Sequence, residues 1–84
     1  MPEHFIVTIA NADGTFEIDL QMPARLRVSE FDGKLLDILK NVDGRGFRRW
    51  SRIQLHYNGR ALYGKETLAS VGAFDGSRII VSEM

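Results

Sequence analysis

Residues 53–63 read IQLHYNGRALY, and this stretch decides the fold. Two short runs of strand-forming residues flank Asn58-Gly59, and a two-residue hairpin loop needs a positive φ at both central positions. Asn and Gly adopt that conformation at the lowest cost, so the pair predicts a type I′ turn between two strands. Residues 64–77 are rich in turn formers, and an apolar strand is expected from Arg78 to Glu83. The second half of the chain is therefore expected to contribute a hairpin and the last strand of the chain to one sheet.

The first half of the chain predicts another hairpin. Residues 5–9, FIVTI, are rich in β-branched and aromatic side chains, which is typical of a strand. After a turn at residues 11–14, apolar and polar residues alternate strictly over residues 16–22, as in a strand with one buried face. The odd-numbered members of residues 5–9 should share that buried face, while Ile6 and Thr8 face outwards.

One amphipathic helix is expected between the hairpins, from about Glu30 to about Val42. Ser29 is a preferred N-cap residue, and Asp32 three positions later completes the pattern of a capping box. Asp43-Gly44 should end the helix, with the glycine just beyond its last turn. Apolar residues recur at helical spacing along one face; these are Phe31, Leu35, Ile38, Leu39 and Val42.

These elements predict an α+β fold in which a mixed sheet packs on one helix. The helix has one apolar stripe and the sheet one apolar face, so the two must bury each other. Ile79-Ile80-Val81 is the most apolar strand segment and is expected in the middle of the sheet beside the first strand. This is a β-grasp arrangement, and 84 residues predict a single domain spanning residues 1–84.

Composition narrows the classes of function. Eleven basic and eleven acidic residues cancel, which argues against bulk attraction to nucleic acid or to an anionic membrane. The chain has no cysteine, its N-terminus does not resemble a signal peptide, and no apolar run is long enough to span a bilayer. A cytoplasmic domain without membrane insertion is therefore expected.

The chain resembles ubiquitin-like domains over nearly its whole length. The resemblance rests on LHYNGRAL at residues 55–62, Thr67-Leu68, Gly72, and SRIIV at residues 77–81. It is more specifically similar to the small YukD-like ubiquitin-fold proteins of Gram-positive type VII secretion loci. Those proteins share the short N-terminal hairpin and a Trp just before the third strand, here Trp50.

The resemblance implies a non-covalent protein-interaction module, an accessory component of a bacterial type VII secretion system. Its partner would be the secretion ATPase or a membrane component. Ubiquitin and its conjugated relatives end in a flexible Gly-Gly tail, whereas residues 81–84 here read VSEM. Two alternatives stay open: a modifier or sulfur carrier whose Gly-Gly tail was removed, and the N-terminal ubiquitin-like domain of a larger chain.

The resemblance also implies where ubiquitin's apolar recognition patch would fall. Aligning the turns places Ala12, His56, Ile80 and Ser82 at its positions, and only Ile80 is strongly apolar. Receptors of ubiquitin would lose most of the apolar area that they normally bury, so we expect them not to bind. On the same sheet face, Thr8, His56 and Ile80 are candidate contacts for another partner.

Residues 45–52, RGFRRWSR, hold four arginines and two large aromatic residues. The glycines predict a loop, and arginine and aromatic residues are enriched at binding hot spots. Phe47, Arg48, Arg49 and Arg52 are therefore candidate partner contacts. In the alternative interpretation the rings cover the end of the core and the arginines are merely solvated. Nucleic-acid binding through this stretch is a further alternative, against which the zero net charge argues.

No catalytic constellation is recognisable in the sequence. It contains no Gly-x-Ser-x-Gly elbow, phosphate-binding loop or His-Glu-x-x-His motif. His4 lies near the N-terminus, too far in sequence from any acidic cluster to suggest a metal site, and the chain has no cysteine. We expect no enzymatic activity, no cofactor and no metal.

Overall fold

The strands of the protein are β1 (His4–Asn11), β2 (Glu17–Pro23), β3 (Ile53–Tyr57), β4 (Arg60–Ala61) and β5 (Arg78–Glu83). In the computed structural model, which describes residues 3–84, they form one mixed sheet in the order β2-β1-β5-β3-β4. β5 pairs parallel to β1 and antiparallel to β3. The closing strand therefore lies in the middle of the sheet beside the first strand, as predicted.

The helix α1 (Val28–Val42) packs on the inner face of this sheet. Phe31, Leu35 and Leu39 are buried as expected, together with Leu36, which the predicted stripe omitted. Val42, which the stripe included, is 53% exposed. It lies on the same side of the helix as Leu35, but at the last helical position, beyond the buried part of the stripe. The predicted stripe was therefore too long at its C-terminal end.

The start of α1 differs from the predicted capping box at Ser29. The helix begins at Val28, with Arg27 as the N-cap residue. The Arg27 backbone N–H donates to Glu30 Oε1 at 2.9 Å. The backbone N–H groups of Val28 and Ser29 donate to the carbonyl oxygens of residues 66 and 64, at 2.8 and 3.0 Å. Distant backbone carbonyls thus satisfy the first turn in place of a serine hydroxyl.

The hairpin between β3 and β4 confirms the predicted turn. Asn58 and Gly59 have φ values of 53° and 78°, as a type I′ turn requires. The turn pairs His56 with Ala61 and Tyr57 with Arg60. The backbone N–H of Leu62 then donates to the carbonyl oxygen of Leu55 at 2.8 Å, which continues the ladder one step further. The hairpin therefore fixes His56 on the outer face of the sheet.

The core lies between α1 and the inner face of the sheet. The alternation in β1 is as expected: Phe5, Val7 and Ile9 are buried, and Ile6 is 58% exposed. From β5, Ile79 and Val81 join the same apolar cluster as the helix residues. All of these residues are apolar and belong to one buried cluster, so burial of apolar surface is the main source of stability in this cysteine-free chain.

We expect Leu39→Ala to destabilise the protein by about 2–5 kcal/mol, because its fully buried side chain would leave a cavity between helix and sheet. Val42→Ala is the matched control on the same helix. Its exposed side chain predicts a loss of less than about 1 kcal/mol. Urea unfolding monitored by circular dichroism measures both variants, and equal losses would contradict this account of the core.

We also expect Glu66 to make stability depend on acid pH. Hydrogen bonds from the Arg60 guanidinium (3.0 and 2.8 Å) and from the Tyr63 backbone N–H (2.7 Å) lower the pKa of the Glu66 carboxyl. A lowered pKa in the folded state adds stability above the ordinary carboxyl pKa, and this gain is lost as the pH falls through the folded pKa.

Thermal unfolding of the wild type and Glu66→Gln from pH 7 down to about pH 2 tests this. At pH 7 the variant should unfold at a lower temperature. The two midpoints should then converge as the pH falls, because protonation removes the same charge from the wild type. Two curves that stay parallel over the whole range would exclude this role of Glu66.

Candidate functional site

The arginine-rich stretch begins with a short helix, α2 (Gly44–Phe47), where the sequence predicted a loop. Asp43 caps this helix, because its Oδ1 accepts the Gly46 backbone N–H at 3.1 Å. Gly44 is accordingly the first residue of α2 and does not close α1 with a left-handed backbone. The sequence signal for this helix was Asp43 itself, which is as good an N-cap residue as it is a turn residue.

The aromatic side chains of this stretch belong to the core. Phe47 is 2% exposed, and its ring packs edge-on against those of Phe16 (4.9 Å between centroids) and Trp50 (4.8 Å). Trp50 is half-buried against the same cluster. The rings therefore cover one end of the core, as in the alternative interpretation above. Burial removes Phe47 from the surface that a partner could contact.

The arginines of this stretch are exposed, but they do not form one cluster. Arg48 lines an open depression of about 500 Å³ together with Lys40, Gly44 and Arg45. Arg52 lines a different depression, between α1 and β3, whose walls include Asp32. Sequence reasoning grouped Arg48 with Arg52 because they are close along the chain, and it missed the approach of Lys40 from the end of α1.

Within the described residues, these arginines and Lys40 form no ion pair. Among residues 3–84, the ion pairs within 4.0 Å are Arg60–Glu66 and Arg78–Glu17. The acidic residues nearest to these cations along the chain are Asp37 and Asp43, and Asp43 uses one carboxylate oxygen to cap α2. The surface around Lys40, Arg45 and Arg48 therefore carries a local positive charge, although the net charge of the whole chain is zero.

The outer face of the sheet brings together two of its three predicted contacts. His56 and Ile80 are direct neighbours across β3 and β5, and His56 Nε2 lies 2.9 Å from Ser82 Oγ. On the other side of Ile80, its neighbour in β1 is Ala10, which is fully buried and which the sequence analysis did not single out. The structure thus gives this face a small apolar centre beside a polar pair.

Thr8 belongs to a more polar part of the same face. Its hydroxyl donates to Asp19 Oδ1 at 2.8 Å, and its neighbour in β5 is Arg78. Arg78 in turn pairs with Glu17 at 2.7 Å. Thr8 is therefore held within a network of polar side chains, and it lies diagonal to Ile80 across β1 and β5. A partner that covers all three predicted contacts must match an apolar spot next to paired charges.

The described residues contain neither a metal-binding cluster nor a membrane-spanning helix. Within residues 3–84, no group of three or more His, Asp or Glu side chains is placed to hold a metal ion. In the same part of the chain, neither helix has the length and hydropathy needed to cross a membrane.

Comparison with known families gives one match that covers nearly the whole chain. The sequence model of YukD, described as "WXG100 protein secretion system (Wss), protein YukD", matches residues 4–81. No sequence among the curated proteins matches the chain.

Solved structures similar to this one include ubiquitin-like domains of secretion proteins. The ubiquitin-like domain of EccD1 from Mycobacterium tuberculosis is 19% identical with a TM-score of 0.78, over 99% of this chain and 100% of that one. The EccD5 ubiquitin-like domain from Mycobacterium xenopi is 21% identical with a TM-score of 0.78, over 99% and 97% of the two chains. At these identities the likeness shows a shared ubiquitin-like fold.

A third similar structure is a longer chain. In the "MycP5-free ESX-5 inner membrane complex", one chain is 20% identical with a TM-score of 0.77, and the match covers 99% of this chain. It covers only 21% of that chain, so the present sequence spans about a fifth of that protein's length.

We expect Gly46→Ala to destabilise the protein by about 1 kcal/mol through loss of the α2 cap. A Cβ at residue 46 would lie 2.6 Å from Asp43 Oδ2, which must then move away. Gly44→Ala is the matched control, because a Cβ there meets nothing within 4 Å. Its effect should stay within about 0.5 kcal/mol of the wild type. Chemical unfolding measures both, and equal effects would exclude the proposed cap.

Proposed function

Because the chain belongs to the YukD family of the WXG100 protein secretion system, we propose that it docks non-covalently onto a protein of that machinery. The partner proposed is the secretion ATPase or a membrane component, met in the cytoplasm, and no catalytic step is assigned to the chain. The single observation that carries the proposal is the family match over residues 4–81. Similar folds in secretion proteins, including a chain of an inner membrane complex, support it.

The docking surface that we propose is the outer face of the sheet around Thr8, His56 and Ile80. The backbone groups in the middle of this face are already paired in the ladder, so a partner must bind side chains. Ile80 supplies the apolar contact, and the nearby pair of His56 and Ser82 supplies side-chain groups that can form hydrogen bonds with a partner. At about 25 cal/mol per Å², so small an apolar centre favours a modest affinity, which suits an accessory component that binds and releases.

A second candidate role is that of a ubiquitin-like domain within a longer chain. The observation that favours it is the match to one fifth of an inner membrane complex chain. In that arrangement the fold and its surfaces would be the same, and the partner would be held close by covalent connection. Reading the gene on either side of residues 1–84 distinguishes the two roles.

Pull-down with purified components tests the proposed function. The tagged chain is mixed separately with the cytoplasmic part of the secretion ATPase and with each membrane component of the same locus. We expect at least one of them to bind. Ile80→Glu should weaken that binding at least about tenfold, because it places a charge at the apolar centre. Circular dichroism confirms that the variant is folded.

Leu26→Glu is the matched control, because Leu26 is 47% exposed and lies just before α1, outside the sheet face. It should bind as the wild type does. If no component binds the wild-type chain, the proposed function is wrong. If a component binds Ile80→Glu as tightly as the wild type, the function stands and the sheet face is not the docking surface.

A further inference from the structure

The distribution of charge along the chain is uneven although its sum is zero. Residues 44–65 contain six basic residues and no acidic one, whereas residues 1–24 contain four acidic residues and no Lys or Arg. Within the basic stretch, Arg60 is neutralised by Glu66. The remaining cations have no ion pair within residues 3–84, so they are available to a ligand from outside the chain.

Three basic residues line one concave part of the surface. Lys40 lies in the last turn of α1, and Arg45 and Arg48 lie in α2 and just after it. With Gly44 they line the depression of about 500 Å³ described above, which we call the basic depression. A cation near the C-terminus of a helix is favoured by the helix dipole, which accounts for Lys40. It does not account for the presence of three basic residues around one depression, none of which has an ion pair within residues 3–84.

The scaffold beneath the basic depression is well anchored. Phe47, between Arg45 and Arg48, is buried in the core, and Trp50 packs against it. Asp43 fixes the first turn of α2 through the Gly46 N–H. The backbone that carries the two arginines therefore needs little ordering when a ligand binds, which lowers the entropic cost of association.

We propose that the basic depression binds an acidic segment of a protein partner, rich in Asp and Glu. This deepens the proposed function and rests on it, since it assigns a chemistry to the partner. Arginine binds carboxylates through two parallel hydrogen bonds, and two arginines beside a lysine match consecutive acidic side chains.

Two features favour an acidic peptide over other anions. Single-stranded nucleic acid binds through aromatic rings on which bases stack, but Phe47 is buried and Trp50 is turned against the core. Membrane binding through basic residues relies on wide polybasic surfaces. Here three cations line a depression in a chain whose net charge is zero.

A titration of the ¹⁵N-labelled chain with synthetic peptides tests the proposal. The probe is an eight-residue peptide of alternating Glu and Asp with blocked ends, and its counterpart has Gln and Asn at the same positions. We expect the acidic peptide to shift the amide resonances of residues 40–49, with an affinity that falls as salt is added. The neutral peptide should cause no comparable shift.

The double variant Arg45→Glu/Arg48→Glu should weaken binding of the acidic peptide at least about tenfold. Arg25→Glu/Lys65→Glu is the matched control, because it changes the net charge equally at two exposed residues outside the basic depression. The affinity of this control for the acidic peptide should stay within about threefold of the wild type. The small loss reflects only the long-range attraction between the peptide and the net charge of the chain. Thermal unfolding verifies that both variants are folded.

Three results would each overturn the proposal: equal weakening by both double variants, shifts centred outside residues 40–49, or equal binding of the neutral peptide. The proposal is also wrong if phosphatidylserine vesicles or an oligonucleotide bind this surface more tightly than the peptide does. None of these results would change the outcome of the pull-down with secretion components and the Ile80→Glu variant. Failure of this inference is therefore distinguishable from failure of the proposed function.

Discussion

The parallel pairing of β1 with β5 is the constraint on which the rest of the structure depends. It places Thr8 beside Arg78 and Asn11 beside Val81, so residues 70 positions apart are neighbours. Parallel strands cannot be joined by a tight turn, and the chain between them must cross one face of the sheet. Helix α1 makes that crossing and buries the inner side of β5, which leaves the outer side of the same strand open around Ile80.

Local patterns were enough to predict the parts of the fold that local physics determines. The turn at Asn58-Gly59, the alternation in the first hairpin and the amphipathic helix each follow from residues close together in sequence. The start of α1 could not be predicted in the same way. Its first N–H groups are bound by carbonyl oxygens of residues 64 and 66, which are more than 30 positions away. Ser29 fits the local rule for an N-cap and still yields to that tertiary contact.

Local sequence patterns also could not predict which residues share a candidate surface. Arg48 and Arg52 are one group in the sequence and line two separate depressions in the fold. Lys40 joins Arg48 only because Asp43 starts a second helix immediately after the first. On the sheet, the neighbour of Ile80 in β1 is Ala10, a residue with no functional signal of its own. Strand register and helix capping determine which side chains share a surface. Neither can be derived from the types of residue in the sequence.

The packing of Trp50 against Phe47 has a practical consequence for work on this protein. Trp50 is the single tryptophan of the chain, and it is half-buried two positions beyond Arg48. Intrinsic fluorescence excited at the red edge of protein absorption therefore arises from one known place. Its emission maximum reports on the solvent around that indole ring. The molecule thus carries a built-in optical probe at the end of its core, and no external dye is needed to follow events there.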